Sequence, residues 1–246
     1  MKSPAGKIRL DVALVERELA ESRQKAQALI LAGKVKVAGQ RFDKPGRMVL
    51  ETDVIQVEEP LRYVSRGGMK LEAALEHFQV EVDGRVCLDV GTSTGGFTDC
   101  LLQNGALRVH AVDTGAGQIA WKLRSDPRVV LHERTNARYL TFEELGEAVE
   151  VITCDVSFIS VTLLIPALTR LLSSNGDWII LIKPQFEAGR EFVGKGGIVR
   201  DPEIQKGACE KVAKMLVETG FRIDLMESPI LGAEGNREFL LHAFGR

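Results

Sequence analysis

The sequence predicts an α/β fold, in which a mostly parallel sheet carries helices on both faces, preceded by a small α+β module. Past residue 66, seven apolar segments of strand length alternate with helical stretches, a pattern typical of a parallel sheet covered on both faces. Before residue 60, helical periodicity gives way to strand-like alternation. A glycine-rich turn over residues 91–96 indicates a ligand site at the edge where such strands end.

The composition predicts an ordered protein outside the membrane. The chain has 246 residues, of which 45% are hydrophobic, so one large domain and a small one can each bury a core. No segment approaches the roughly 20 continuous apolar residues of a membrane-spanning helix, and residues 1–7 lack an apolar signal core. We therefore expect a soluble, cytoplasmic protein with no membrane partner.

The four cysteines predict buried side chains rather than a metal site. They are far apart and form no CxxC pair: Cys87, Cys100, Cys154 and Cys209. A cysteine within an apolar run behaves as a small hydrophobe, whereas a zinc site or a disulfide framework shows closer or regular spacing. We expect neither a metal ion nor a disulfide.

Charge is distributed unevenly along the chain. The net charge is −2, but residues 1–70 hold 14 Lys and Arg against 9 Asp and Glu, or +5, and the remaining residues hold 18 against 25, or −7. Positive charge at one end suits contact with nucleic-acid phosphates. A solvated basic face that binds nothing is the alternative.

Two helices are predicted to open a module formed by residues 1–60. Apolar spacing predicts a first helix over residues 10–20. Ser22 is placed to cap a second helix, which runs towards Ala32 and ends at Gly33.

Strand-like alternation follows the helices. Val35 and Val37 alternate with lysines, residues 38–40 form a turn, and residues 53–57 alternate again. Residues 58–60 close the module.

A larger domain follows this module. Residues 61–66 form a short linker, and residues 67–246 form the domain, which opens with a helix over residues 69–77. Its strand candidates are apolar segments bounded by turn residues. They cover residues 86–90, 108–113, 129–133, 151–155, 178–182, 221–227 and 238–244.

The first of these strands leads into a turn that predicts cofactor binding. The spacing from Gly91 is GxxxGG rather than the GxGxxG of dinucleotide sites. Asp89, before the turn, suits a cofactor with a positive charge and an amino group, and S-adenosylmethionine has both. Asp113, at the next strand end, is placed to accept hydrogen bonds from two ribose hydroxyls. A turn that serves tight packing alone is the alternative.

The predicted cofactor-binding residues follow the turn and the neighbouring strand ends. Asn136, after the third strand, is a candidate adenine contact, although a loop asparagine is commonly a turn residue. The full set is Asp89, Gly91, Ser93, Thr94, Gly95, Gly96, Phe97, Asp113, Asn136 and Asp155.

The small module resembles the S4 RNA-binding domain. The likeness rests on Ile8-Arg9-Leu10-Asp11, Ser22-Arg23-Gln24-Lys25-Ala26, Gly33-Lys34-Val35-Lys36-Val37 and Asp53-Val54-Ile55. It implies that basic side chains around the second helix and the following strand face structured RNA. The RNA-binding candidates are Arg9, Arg23, Lys25, Lys34, Lys36 and Arg66. A helix pair that only mediates dimerisation is the alternative.

Residues 89–97 resemble the FtsJ-like ribose 2′-O-methyltransferases, in which an Asp-Leu-Gly-x-x-Pro-Gly-Gly form is common. Thr94 replaces the proline, a departure that points to the TlyA-type sub-family, sometimes labelled hemolysin A. Further segments that resemble this sub-family are residues 65–71, 118–124, 154–160, 183–187 and 235–239. The resemblance covers nearly the whole chain and implies a Rossmann-like, S-adenosylmethionine-dependent methyltransferase fold.

The resemblance also implies a catalytic tetrad, whose matching residues are Lys70, Asp155, Lys183 and Glu238. A ribose hydroxyl is a poor acid, so it must be aligned with the methyl group and relieved of its proton as its oxygen attacks. Lys183 is the candidate that takes or stabilises this proton, with Lys70 as a neighbouring charge. The two carboxylates would orient the ammonium groups.

The expected activity is transfer of a methyl group from S-adenosylmethionine to a ribose 2′-hydroxyl of ribosomal RNA, and the resemblance suggests cytidine. Ribosomal RNA or ribosomal subunits are the expected partners of a monomer or weak dimer. A non-catalytic RNA-binding or assembly factor is the alternative, against which the intact tetrad argues. Membrane lysis would call for a long apolar or strongly amphipathic segment, and none is evident.

A second glycine-rich segment lies near the end of the chain. Residues 194–201 predict a mobile loop near the substrate, or an ordinary flexible connection.

Overall fold

The chain divides into two compact units, Met1–Pro60 and Leu61–Arg246. The computed structural model describes residues 6–57, 61–232 and 235–246. Each unit buries apolar side chains of its own.

The small unit packs two helices against short antiparallel strands. Its helices are α1 (Leu10–Glu16) and α2 (Arg23–Leu31), and its strands are β1 (Lys7–Arg9), β2 (Val35–Val37), β3 (Gln40–Phe42), β4 (Met48–Leu50) and β5 (Ile55–Val57). Strand β1 pairs with β4, and β2 lies between β3 and β5. The predicted close of the module at residues 58–60 lies outside the described residues.

Two expectations for the start of this unit are wrong. Strand β1 precedes the first helix, because residues 7–9 pair with β4 before α1 begins. Helix α1 ends at Glu16 rather than Ala20. Its end follows from Glu18, whose left-handed conformation at φ +58° turns the chain.

The second helix and the turn after β2 are confirmed. Ser22 accepts a hydrogen bond from a backbone N–H in the first turn of α2, and Gly33 follows the end of the helix with φ +66°. Ala38 and Gly39 both have positive φ and connect β2 to β3, as a two-residue hairpin turn requires. Gln40, expected in the turn, is the first residue of β3.

A buried aspartate organises the polar contacts of the small unit. Asp11 is fully buried and accepts hydrogen bonds of 2.9 Å from Arg9, Arg23 and Gln27. These contacts, led by that from Arg9, hold the pKa of the Asp11 carboxyl well below its ordinary value. Two arginines predicted to bind RNA are therefore oriented by this carboxylate.

The large unit is built on one sheet. Its strands are β6 (Val86–Val90), β7 (Arg108–Asp113), β8 (Val129–Glu133), β9 (Val149–Cys154), β10 (Leu172–Ile182), β11 (Arg222–Glu227) and β12 (Phe239–Phe244). The seven strands lie in the order β11-β12-β10-β9-β6-β7-β8. The run from β10 to β8 is parallel, and β12 pairs antiparallel with β10 and β11. The predicted mixed, mostly parallel sheet is confirmed.

Helices cover both faces of this sheet. They are α3 (Gly67–Phe78), α4 (Gly96–Gln103), α5 (Trp121–Arg124), α6 (Phe142–Leu145), α7 (Ile165–Leu168), α8 (Pro184–Glu187) and α9 (Pro202–Glu218). Side chains alternate along β6, so that Leu88 joins a core with α7 and α9 while Cys87 joins a core with α3 and α4. In the described part of the chain, no helix is long and apolar enough to cross a membrane.

Several strand ends differ from their predicted positions, most of all the start of β10, which is Leu172 rather than residue 178. Strands β6, β7 and β8 have the predicted bounds, whereas β9 ends at Cys154 and β12 begins at Phe239. Asp155, Lys183 and Glu238 therefore flank strands β9, β10 and β12 directly.

The cysteines are buried, as predicted, and each is a free thiol. Burial raises the pKa of the thiols of Cys87, Cys100 and Cys209 to about 12. These side chains fill the cores as neutral groups.

We predict that Asp11→Asn lowers the thermal melting temperature of the chain by about 5 °C at pH 7, because it weakens three contacts around a buried group. The folded pKa of Asp11 lies below its unfolded value of about 3.9, so its stabilisation is complete above that value and is lost as the pH falls below it. The melting difference between variant and wild type should therefore shrink below about pH 4.

Asp43→Asn, at an exposed carboxylate of the same unit, is the matched control. A pH-independent difference between Asp11→Asn and wild type would contradict the assigned role of the Asp11 charge.

Candidate active site

The glycine-rich turn joins β6 to α4 and lies against the end of β9. Gly91 has φ +84°, and a side chain there would place its Cβ 2.3 Å from the backbone oxygen of Asp155. The backbone N–H of Asp155 donates to Val90 O at 2.9 Å. Glycine is required at residue 91 because no side chain fits between the two strand ends.

Two other glycines of the turn allow close packing. At Gly95, whose φ is +95°, a Cβ would lie 2.3 Å from Leu123 of α5, and at Gly96 it would lie 2.2 Å from Ser65 Oγ. Gly96 lines a cavity, but the described lining residues do not include Gly95. Gly95 therefore packs against α5, and its contact with a cofactor stays a prediction.

Two cavities open at the edge where the parallel strands end. We call the first, of about 670 Å³, the tetrad cavity, because Lys70, Asp155, Lys183 and Glu238 all line it. The second, of about 640 Å³, is the Asp113 cavity. Residues that line both cavities are Gly91, Ser93, Asp155, Ser157 and Phe158. Each volume falls within the range of about 300–1,000 Å³ found for small-molecule sites.

Asp113 is held rigidly at the end of β7. Its Oδ2 accepts a hydrogen bond from Ser93 N at 2.8 Å, and its Oδ1 accepts one from Gly115 N at 2.7 Å. Each carboxylate oxygen has a second lone pair. The half-buried carboxylate can therefore accept hydrogen bonds from a pair of hydroxyl groups in the cavity.

The remaining predicted cofactor residues divide between the cavities. Asn136 lines the Asp113 cavity, and its Oδ1 accepts a hydrogen bond from Arg138 N, so it also has the local turn role considered from the sequence. Thr94, Gly96 and Phe97 line the tetrad cavity.

Asp89 is the penultimate residue of β6, directly before the glycine-rich turn. It is fully buried, and its carboxylate accepts hydrogen bonds from Thr98 Oγ1 at 2.6 Å and Thr153 Oγ1 at 3.0 Å. The described residues that line the two cavities do not include Asp89. Burial raises the pKa of Asp89 to about 6, against the lowering effect of the two threonine hydroxyls. In the structure its carboxylate links the end of β6 to α4 and β9 through the two threonines, and contact between Asp89 and a cofactor stays a prediction.

The four tetrad residues form two ion pairs. Lys70 Nζ donates to Glu238 Oε2, and both side chains are buried. Lys183 Nζ lies 2.5 Å from Asp155 Oδ1 as an ion pair that lacks hydrogen-bond alignment, and it donates to Ser157 Oγ at 2.9 Å. Each pair thus sets a carboxylate against an ammonium group, and the orienting role of Asp155 and Glu238 stays a prediction.

An exposed aromatic side chain lies at the mouth of the tetrad cavity. Phe158 is 88% exposed, has φ +71°, and its ring centroid is 5.4 Å from that of Phe186. In the sequence, Phe158 belongs to residues 154–160, one of the segments that resemble the sub-family, but no role was assigned to it. A phenylalanine in the short segment that follows β9 and the predicted tetrad residue Asp155 is the signal that was available.

The glycine-rich segment near the end of the chain contributes to the tetrad cavity through Gly197. Asn236, which is buried, accepts a hydrogen bond from Val199 N at 3.1 Å and donates one to Gly197 O at 2.9 Å. Asn236 thus links this part of the segment to the residues that directly precede Glu238.

The residues predicted to bind RNA belong to both units. Arg9, Arg23 and Lys25 are exposed on the small unit, and Lys34 and Lys36 are half-buried there. Arg66 belongs to the large unit and lines the tetrad cavity. Among the described residues, no group of three His, Cys, Asp or Glu side chains is arranged to hold a metal ion.

Comparison with known proteins matches both units. A family model for FtsJ-like methyltransferases matches residues 63–244, and a model for the S4 domain matches residues 8–55. The chain is 47% identical to the 16S/23S rRNA (cytidine-2′-O)-methyltransferase TlyA of Mycobacterium tuberculosis over 96% of this chain and 90% of that protein. It is 44% identical to Hemolysin A of Brachyspira hyodysenteriae over 96% and 99% of the two chains.

A solved structure with low sequence identity shows the same fold. The S-adenosylmethionine-dependent methyltransferase from Mesorhizobium loti aligns with a TM-score of 0.52 at 16% identity, over 72% of this chain and 98% of that one. The large unit therefore has the Rossmann-like fold of S-adenosylmethionine-dependent methyltransferases.

We predict that Asp89→Asn increases stability at neutral pH. The folded pKa of about 6 lies above the unfolded value of about 3.9, so the Asp89 charge destabilises the fold progressively as the pH rises between these values. At pH 7 the variant should gain up to about 3 kcal/mol, and at pH 4 it should match the wild type. Denaturant unfolding at both pH values measures the difference. Glu218→Gln, at an exposed carboxylate on α9, is the control, and an equal gain at both pH values would argue against the assignment.

Proposed function

The chain belongs to the FtsJ-like methyltransferase family and carries an S4 domain before the methyltransferase domain, and from this premise we propose that it methylates a ribose 2′-hydroxyl of ribosomal RNA. The methyl donor is S-adenosylmethionine, and the target is cytidine. The proposal is carried by one observation. Two ion pairs, Lys70–Glu238 and Lys183–Asp155, line the same cavity beside the glycine-rich turn.

The Asp113 cavity fits the nucleoside part of the methyl donor. The carboxylate of Asp113 is fixed by two backbone N–H groups and keeps lone pairs for two ribose hydroxyls. Asn136, Ala137 and Leu164 line the same cavity and would contact the adenine. When bound, the donor supplies an activated methyl group. The shared wall at Gly91 and Ser93 would place that group between the two cavities.

Lys183 is the proposed group at the attacking oxygen. It is held by Asp155 and Ser157, which keeps Nζ at the wall of the tetrad cavity. The amine of Lys183, when it carries no extra proton, accepts the proton of the hydroxyl as the oxygen attacks carbon, and the ammonium that results is stabilised by the carboxylate of Asp155. The buried Lys70–Glu238 pair supplies a fixed charge distribution nearby and does not need to move during the reaction.

Ribosomal RNA is favoured as the substrate by two observations. The small unit carries five of the six basic residues predicted to contact RNA, and residues 1–60 hold 11 Lys and Arg against 9 Asp and Glu, or +2. The Mycobacterium tuberculosis relative is named for cytidine methylation in 16S and 23S rRNA. We assign RNA capture to the small unit and chemistry to the large one.

A vestigial, non-catalytic RNA-binding protein is the second candidate. It gains no support from the site, where all four tetrad residues line one cavity and each lysine has a carboxylate partner. The name hemolysin, carried by a relative, does not by itself assign a membrane activity to this chain.

We predict that Asp113→Ala weakens S-adenosylmethionine binding by about 1–3 kcal/mol, because it removes charge-assisted hydrogen bonds to the ribose. Isothermal titration calorimetry on the full chain measures the change. Asp224→Ala, at an exposed carboxylate on β11, should bind like the wild type. Unchanged affinity in Asp113→Ala would remove Asp113 from the donor site.

We predict that Lys183→Ala reduces single-turnover methylation by about 10²- to 10⁴-fold with little change in donor affinity, as expected for a lost acid–base group. Lys183→Arg should not restore the rate, because a guanidinium keeps its proton and has a different shape. The assay uses ribosomal subunits from cells that lack the protein and measures 2′-O-methylcytidine by mass spectrometry.

Lys206→Ala, at an exposed lysine on α9, is the matched control, and thermal melting reports on folding. A folded Lys183→Ala variant that turns over at nearly the normal rate would exclude Lys183 as the catalytic group. A wild-type protein that methylates no ribosomal RNA would overturn the proposed function itself.

A further inference from the structure

We propose that Glu187 is a positioning residue that braces the loop formed by residues 155–160, and thereby presents Phe158 to a base of the RNA. The inference rests on the proposed function, because it concerns how the same site receives its substrate. Glu187 belongs to α8, which directly follows Lys183 in the chain. It is buried, and the tetrad mechanism does not use it.

The carboxylate of Glu187 holds the far end of the loop. Its Oε1 accepts a hydrogen bond from Val161 N at 2.7 Å, and its Oε2 accepts one from Ser160 Oγ at 2.5 Å. Both partners lie where the loop enters the short 3₁₀-helix Val161–Leu163. One side chain thus fixes both a backbone group and a hydroxyl group at this end.

A lysine from α9 balances the buried charge of Glu187. Lys211 Nζ lies 3.3 Å from Glu187 Oε2 and donates to the backbone oxygen of Glu187 at 2.9 Å. It also lies 3.3 Å from Ser160 Oγ. A buried carboxylate without such a partner would be unfavourable, so the three residues form one polar unit.

The near end of the loop is held from the same short turn of chain. Lys183 pairs with Asp155 and donates to Ser157. Residues 183–187 therefore contact both ends of the loop. Lys183 binds its first residues, and Glu187 binds its last.

The residue between the two anchors has a conformation that needs support. Phe158 has φ +71°, which is disfavoured for any residue with a side chain. Such conformations persist where the surrounding contacts determine them, and they cluster at functional sites. With its ring 88% exposed and next to Phe186 at the mouth of the tetrad cavity, Phe158 offers a flat face on which an unstacked base can stack.

The assignment is tested by steady-state methylation of ribosomal subunits at saturating S-adenosylmethionine. Glu187→Ala should raise the KM for the subunits about 10-fold, the size expected for a lost base-stacking contact, and change kcat little. Phe158→Ala should raise it by a similar factor. The double variant should match Phe158→Ala alone, because Glu187 acts through Phe158.

Conservative and control variants separate positioning from general stability. Glu187→Gln should restore most of the wild-type KM, because its amide keeps an acceptor for Val161 N. Glu210→Ala removes an exposed carboxylate from α9 and should have no effect. Should Glu187→Ala fail to fold, Ser160→Ala takes its place, with a smaller rise in KM that is likewise absent in the Phe158→Ala background.

Hydrogen–deuterium exchange measures how well the loop is held by Glu187, independently of methylation activity. Backbone amides of residues 158–161 should exchange faster in Glu187→Ala than in the wild type. Unchanged exchange, or KM increases that multiply in the double variant, would overturn the inference. If the wild-type protein transfers no methyl group to RNA, the proposed function fails, and the exchange comparison still decides whether Glu187 holds the loop.

Discussion

The candidate site depends on the close approach of Gly91 to the backbone of Asp155. A methyl-sized group at residue 91 would lie 2.3 Å from the Asp155 carbonyl oxygen, so any other residue would push the two strand ends apart. That contact brings the glycine-rich turn, which lines both cavities, against the first residue of the loop formed by residues 155–160. The parallel pairing of β6 with β9 and of β9 with β10 then delivers Lys183 to the same edge.

The two ion pairs at this edge differ in their access to solvent. The side chains of Lys70 and Glu238 are 11% and 3% exposed. The side chains of Lys183 and Asp155 are 13% and 24% exposed. A buried pair holds its geometry because separating its members would leave an uncompensated charge. A more accessible pair can accept a further hydrogen-bonding group at a lower cost in desolvation free energy. The two lysines are almost equally exposed, so the difference lies in the carboxylates: the more accessible one, Asp155, pairs with the lysine that we propose meets the substrate hydroxyl.

Sequence reasoning located the parallel strands near the glycine-rich turn because they depend on local pattern, whereas the tetrad was taken from the family resemblance and its catalytic role stays a prediction. The bounds of β6, β7 and β8 follow from apolar runs, which burial on both faces of a parallel sheet requires. It could not show contacts with partners distant in the chain. Asp89 was predicted to contact the cofactor from its place before the turn, and the structure adds that Thr153, which is 64 residues away, donates a hydrogen bond to one of its oxygens. Glu187 likewise gains its role from Ser160 and Val161 of another segment.

The loop between β9 and the following 3₁₀-helix gives the two cavities a common wall. Ser157 and Phe158 line both the tetrad cavity and the Asp113 cavity. A ligand that orders this loop from one side reduces the conformational entropy that a ligand on the other side must still remove. The anchors at Lys183 and Glu187 already restrict the loop before either ligand arrives. Because pre-organisation of a shared wall lowers the ordering cost for both ligands, the short segment from Lys183 to Glu187 links the chemistry at Asp155 to capture of the substrate.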